Sequence, residues 1–104
     1  MSMYAENDGR FPDDAAVLVR YPLKGDDDRD NWPWLPGSIL GQCPGPGPEW
    51  HVVIDGRGDL AEPDPDHPGE WLYPACFRTA EEIQLTTEDE WARRSTPSPT
   101  SEAR

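Results

Sequence analysis

The chain has 104 residues, with 9 basic and 21 acidic side chains and a formal net charge of −12. That length holds one domain, and 35% hydrophobic residues with 13 prolines leave it a modest core. A membrane span needs about 20 consecutive apolar residues, and the longest apolar runs here are residues 15–19 and 52–54.

No charged-then-apolar segment opens the sequence, so a cytoplasmic location is expected. A phosphate backbone is bound mostly through Lys and Arg, so nucleic acid is not expected as a direct ligand. The favoured partner is a basic or cationic protein segment, drawn by long-range attraction that salt weakens. Acidity also keeps a small domain soluble with no partner at all. Cys43 and Cys76 lie far apart in the chain, and without export they are expected as reduced thiols. Neither Cys43, His51, His67 nor Cys76 has the short pair spacing that pre-forms a zinc site, so no metal or other cofactor is expected.

In chain order, residues 1–13 are polar and unpatterned apart from Tyr4 and Phe11, and read as a flexible lead-in to a domain spanning residues 14–94. Residues 15–21 are rich in β-branched and apolar side chains and stop at Pro22, which marks a first strand. Residues 24–31 form a loop in which Asp26, Asp27, Asp28 and Asp30 are too densely charged for burial. A calcium loop spaces its ligands at alternate positions with a glycine at the bend, and here Gly25 precedes the run, so a solvated loop is expected. Residues 34–40 are a second strand, with Pro36 and Gly37 implying an edge or a bulge.

The run CPGPGPE at residues 43–49 is a turn. Residues 50–55 (WHVVID) are the clearest strand. Residues 62–70 are an acidic, proline-rich loop, and residues 71–78 a fourth strand interrupted by Pro74. Thr79 with Glu82 has capping-box spacing and opens one helical turn. Residues 83–85 close the set as a fifth strand. A second box, Thr87 with Glu90, starts a short C-terminal helix through Arg94, with Trp91 positioned to dock. Residues 95–104 are too poor in apolar side chains to fold and read as a disordered tail.

Five short strands without a long helix define an all-β chain, which closes into a small barrel or sandwich because closure removes exposed edges. A helical turn before the last strand favours an SH3-like barrel.

Trp34-Leu35-Pro36-Gly37-Ser38-Ile39 is similar to the W-aromatic-x-G-x-V stretch of Tudor- and Agenet-like domains. Residues 17–20 fall where their first strand would lie. Residues 50–56 resemble their third-strand Y-x-V-x-F-x-D-G pattern, and Asn31-Trp32-Pro33-Trp34 has the look of a PWWP motif. The resemblance covers about residues 15–86. It implies a five-stranded Tudor-like barrel whose rim aromatics cage a methylated Lys or Arg. Trp34 and Trp50 match motif positions, and Tyr21 and Trp32 fall near the rim. Leu35 stands where the family carries an aromatic, and the loop at residues 61–70 is longer than typical.

Five tryptophans in so short a chain suit cation binding, because an aromatic face beside carboxylates attracts a cation at about 0.5–2 kcal/mol per contact. A small core also uses tryptophan as filler. Trp34 and Trp50 are expected inside and Trp32 exposed. The expected ligand face therefore joins Tyr21, Trp32, Trp34, Trp50 and Trp71 to Asp26, Asp27, Asp28 and Asp30. Arg57-Gly58-Asp59 is read as a turn.

Catalysis is not expected. No G-x-S-x-G elbow occurs, and the acidity around Cys76 would blunt a Cys–His pair with His51. The leading expectation is a non-enzymatic interaction module. An acidic nucleic-acid mimic that occupies a DNA-binding protein is the alternative. A metal protein or enzyme on Cys43, His51 and Cys76 is the third.

Overall fold

A computed structural model of the chain describes residues 4–23 and 28–96. Asp26 and Asp27 lie outside the described residues, as do residues 97–104 of the expected tail. The fold is mostly β. Strands β1 (Ala16–Arg20), β2 (Trp34–Gln42), β3 (Trp50–Val53), β6 (Ala75–Arg78) and β7 (Ile83–Leu85) form one antiparallel sheet in the order β6-β3-β2-β1-β7. The first four make a meander, and β7 returns to the free side of β1. Among the described residues β6 and β7 do not pair with each other. A second, two-stranded ribbon joins β4 (Glu62–Pro63) to β5 (Trp71–Leu72).

Pro74 therefore does more than interrupt the expected fourth strand. It divides it, and β5 leaves the main sheet to pair with β4. Pro36, expected at an edge or bulge, is fully buried within β2 between two neighbours. Its carbonyl accepts from the Gly56 amide on the β3 side, at 3.1 Å. The carbonyl and amide positions of a strand residue point the same way, and the ladder with β3 begins only at Ser38. The missing proline N–H thus faces a stretch with no ladder to complete. The β2 irregularity falls between Ile39 and Gly41.

Alternation assigns the faces. Val17 and Val19 of β1, Leu35 and Ile39 of β2, Trp50 and Val52 of β3, then Ile54 and Ile83 build one core. Phe11 joins them at 6% exposure, its ring edge-on to Trp50 with centroids 4.9 Å apart. The segment read as a lead-in thus carries a core side chain. It is tied further by Ala5, whose amide donates to the Gln42 carbonyl, and by the Tyr4 hydroxyl, 2.8 Å from His51 Nδ1. Gly41 makes room for this strap, since a Cβ there would overlap the Tyr4 ring.

Helix α1 (Glu88–Arg94) lies against β1 and β2. Thr87 Oγ1 accepts from the Glu90 amide at 3.2 Å, as its box implies. Acids fill the first turn and Arg93 and Arg94 the last, which suits the helix dipole. Seven residues are too few to hold a helix alone; docking supplies the rest. The Trp91 indole donates to the Gly37 carbonyl at 3.0 Å, and its ring packs beside Gly56. The 3-10 turn Ala80–Glu82 precedes β7 as expected, but Thr79 makes no side-chain cap.

Candidate functional site

Two 3-10 turns, Arg29–Asn31 before β2 and Ala80–Glu82 before β7, border an open cleft of about 460 Å³. Arg20, Asp30, Thr79, Glu81 and Glu82 line it. Three carboxylates face one guanidinium, so the cleft is net acidic. Arg20 Nη1 lies 4.0 Å from Asp30 Oδ1, and the Arg20 guanidinium sits over the Trp34 ring, 5.0 Å from its centroid. Asp28 is engaged in its own turn, accepting from the Asp30 amide at 3.1 Å and from Asn31 Nδ2 at 3.2 Å.

The remaining aromatics of this edge hold a second arginine. The Arg78 guanidinium lies 4.9 Å from the Trp32 centroid and 6.0 Å from that of Tyr21. Its Nε donates to the Arg20 carbonyl at 2.9 Å, and Nη1 to the Phe77 carbonyl at 2.8 Å. The end of β6 is thereby tied to the end of β1.

The expected site residues divide accordingly. Tyr21, Trp32, Trp34 and Asp30 come together, with Asp28 one turn away. Trp34, expected in the core, is half-buried outside the core cluster, because Arg20 covers its face. Trp32, expected exposed, is half-buried under Arg78. Trp50 is fully buried and offers a ligand no face; its indole Nε1 has no partner among the described residues. Trp71 stands half-buried on the β4–β5 ribbon and is not a residue of the main sheet.

Arg20, Arg78, Glu81 and Glu82 were not read as site residues. Glu81 and Glu82 were legible as a charged pair beside a turn. The arginine contacts have no sequence signal, since Arg78 and the Arg20 carbonyl it bonds are 58 positions apart.

His51 and Cys76 do not form a catalytic pair. Cys76 is opposite Val52 and packs on the core, while His51 is opposite Phe77 on the other face, their rings stacked at 4.6 Å. Cys43 and Cys76 form no disulfide among the described residues, and burial pushes the Cys43 thiol up, with Glu49 adding to it. A raised thiol is a poor nucleophile near neutral pH. Arg57 and Asp59 are clasped to each other by two hydrogen bonds, at 2.8 and 2.7 Å.

One group has metal-ligand character. Asp64, His67 and Glu70 place a donor atom each within 4.8 Å of one another in the loop between β4 and β5. His67 Nδ1 lies 3.0 Å from Asp64 Oδ2, and the Asp64 amide donates to the Glu70 carbonyl at 3.0 Å. Two oxygens and an imidazole suit a first-row divalent ion. His67 and Glu70 are exposed, however, and a solvated turn accounts for them without an ion. Their D-x-x-H-x-x-E spacing was visible in the sequence.

No family model matches the chain, and no curated protein or solved structure is significantly similar to it.

Proposed function

We propose that this chain is a non-enzymatic interaction module that binds a basic protein segment along the acidic cleft and its aromatic border. The meander, the return of the last strand beside the first, and the helical turn before it support reading the domain as an SH3-like barrel of the Tudor and Agenet kind. The observation that carries the binding reading is the cleft itself, where Asp30, Glu81 and Glu82 converge beside tryptophans that already accept guanidinium groups.

An exposed ion pair contributes about 0.2–1 kcal/mol, and a cation–π contact about 0.5–2 kcal/mol. A single basic side chain therefore binds weakly, and a segment with several cations is required. Attraction to a −12 chain raises the encounter rate and falls with salt.

The test is an amide and indole NMR titration with lysine- and arginine-rich peptides, at about 0.05 M and about 0.5 M salt. Amides of Asp30, Glu81 and Glu82 move at low salt and much less at high salt. A Glu81→Gln/Glu82→Gln double variant binds several-fold more weakly. Peptide binding that ignores both salt and these two substitutions refutes the proposal. Binding to a whole DNA-binding protein but to no peptide favours the acidic-mimic alternative.

A further inference from the structure

The cation held by Tyr21 and Trp32 belongs to the chain itself. We propose that Arg78 is a built-in stand-in for the ligand: it closes the aromatic part of the site in the free protein, and a partner's arginine must displace it. This rests on the cleft being the binding site, as proposed above.

Three observations lead here. First, Arg78 meets the aromatic faces as a bound cation would, at 4.9 Å from Trp32 and 6.0 Å from Tyr21. Second, its polar partners are neutral. Nε and Nη1 donate to the Arg20 and Phe77 carbonyls, and among the described residues Arg78 forms no ion pair. A cation held without a carboxylate is exchangeable for another of the same chemistry, because displacing it strands no buried anion. Third, the cleft carboxylates begin at the neighbouring turn, Thr79 being both the next residue and part of the cleft lining. A segment anchored there brings its next side chain to the Arg78 position.

The same contacts specify the ligand class. The Arg20 carbonyl faces a planar group that donates N–H from its edge while its face covers an aromatic ring. A guanidinium does both. A trimethylated lysine has no N–H and leaves that carbonyl without its donor. Arginine-bearing segments are therefore preferred over segments bearing methylated lysine.

Removing an internal competitor raises apparent affinity by the inverse of the open fraction. If the site is open about one-tenth of the time, Arg78→Gln binds about tenfold more tightly. The experiment uses the isotope-labelled full chain with two probes, hexa-arginine and a hexapeptide of trimethylated lysine. In the unaltered protein, hexa-arginine moves the Asp30, Glu81 and Glu82 amides, and as it saturates it also moves the Arg78 Nε–H and Trp32 indole signals. In Arg78→Gln it binds about tenfold tighter, with a smaller gain for the trimethyl-lysine peptide.

Cleft amides that move while Arg78→Gln gains nothing overturn the stand-in and leave the cleft proposal standing. If the cleft amides move with neither probe in either protein, both fall. Should Arg78→Gln lose its dispersed spectrum, the unaltered protein decides. An Arg78 Nε–H signal that stays fixed at saturation overturns the proposal, and one that moves with the Trp32 indole upholds it.

Discussion

Phe11→Ala tests whether the N-terminal strap belongs to the cooperative unit. The ring is 6% exposed and meets Trp50 edge-on at 4.9 Å. Burying a phenylalanine contributes about 1.5–3 kcal/mol, an edge-on aromatic pair adds about 0.5–1.5 kcal/mol, and the cavity left behind adds more. Truncations of this type cost about 3–5 kcal/mol. Domains of this size are stable by about 5–15 kcal/mol, so the variant loses a large share of the total.

Urea unfolding followed by tryptophan fluorescence measures it, with Glu6→Ala as an exposed control expected within about 0.5 kcal/mol of the parent. Each kcal/mol lowers the melting midpoint by about 4–8 °C in a domain of 60–100 residues, so the predicted drop exceeds about 10 °C. A Phe11→Ala protein within about 1 kcal/mol of the parent refutes the strap's place in the core.

Trp91→Phe removes the indole bond to the Gly37 carbonyl. It is expected to cost about 1 kcal/mol and to weaken the α1 amides first, as hydrogen exchange would read. Gly41→Ala puts a methyl where the Tyr4 ring lies and forces the strap off, so the His51 ring signals should shift as its hydroxyl partner leaves. Asp59 is held at about 2 by the Arg57 guanidinium, with the Thr96 hydroxyl helping. Its folded pKa lies below the unfolded value of about 3.9. The clasp therefore stabilises above about pH 4, and that contribution is lost as pH falls toward about 2. The Asp59 side chain is 48% exposed, so solvent keeps the contribution small. Stability profiles of parent and Asp59→Asn should converge in acid, and a gap that stays constant with pH contradicts the assignment.

Local chemistry was sufficient for the strand that starts at Trp50, although it ends at Val53 rather than at residue 55, and for the Thr87 box that starts α1. It was also sufficient for the turn before β7. Pro74 showed that a strand would be interrupted; that β5 would leave the sheet depended on β4 being there to receive it. That Phe11 would enter the core was not legible, because one aromatic among polar residues has no period.

The tryptophans mark the division most clearly. Charge, alternation and turn chemistry act over a few residues, so an acidic, mostly β, tryptophan-rich chain was legible before any fold was known. Which tryptophan became core and which became rim was decided by tertiary structure. Trp50 is buried by Phe11 across 39 positions of chain, while Arg20 and Arg78 take the faces of Trp34 and Trp32. Those arginines reach their rings from separate strands, and the 58-residue separation between Arg78 and the Arg20 carbonyl leaves no local pattern to read. An aromatic face is equally attractive to a partner's cation and to the chain's own, so only the folded arrangement could show that the nearest arginine was internal.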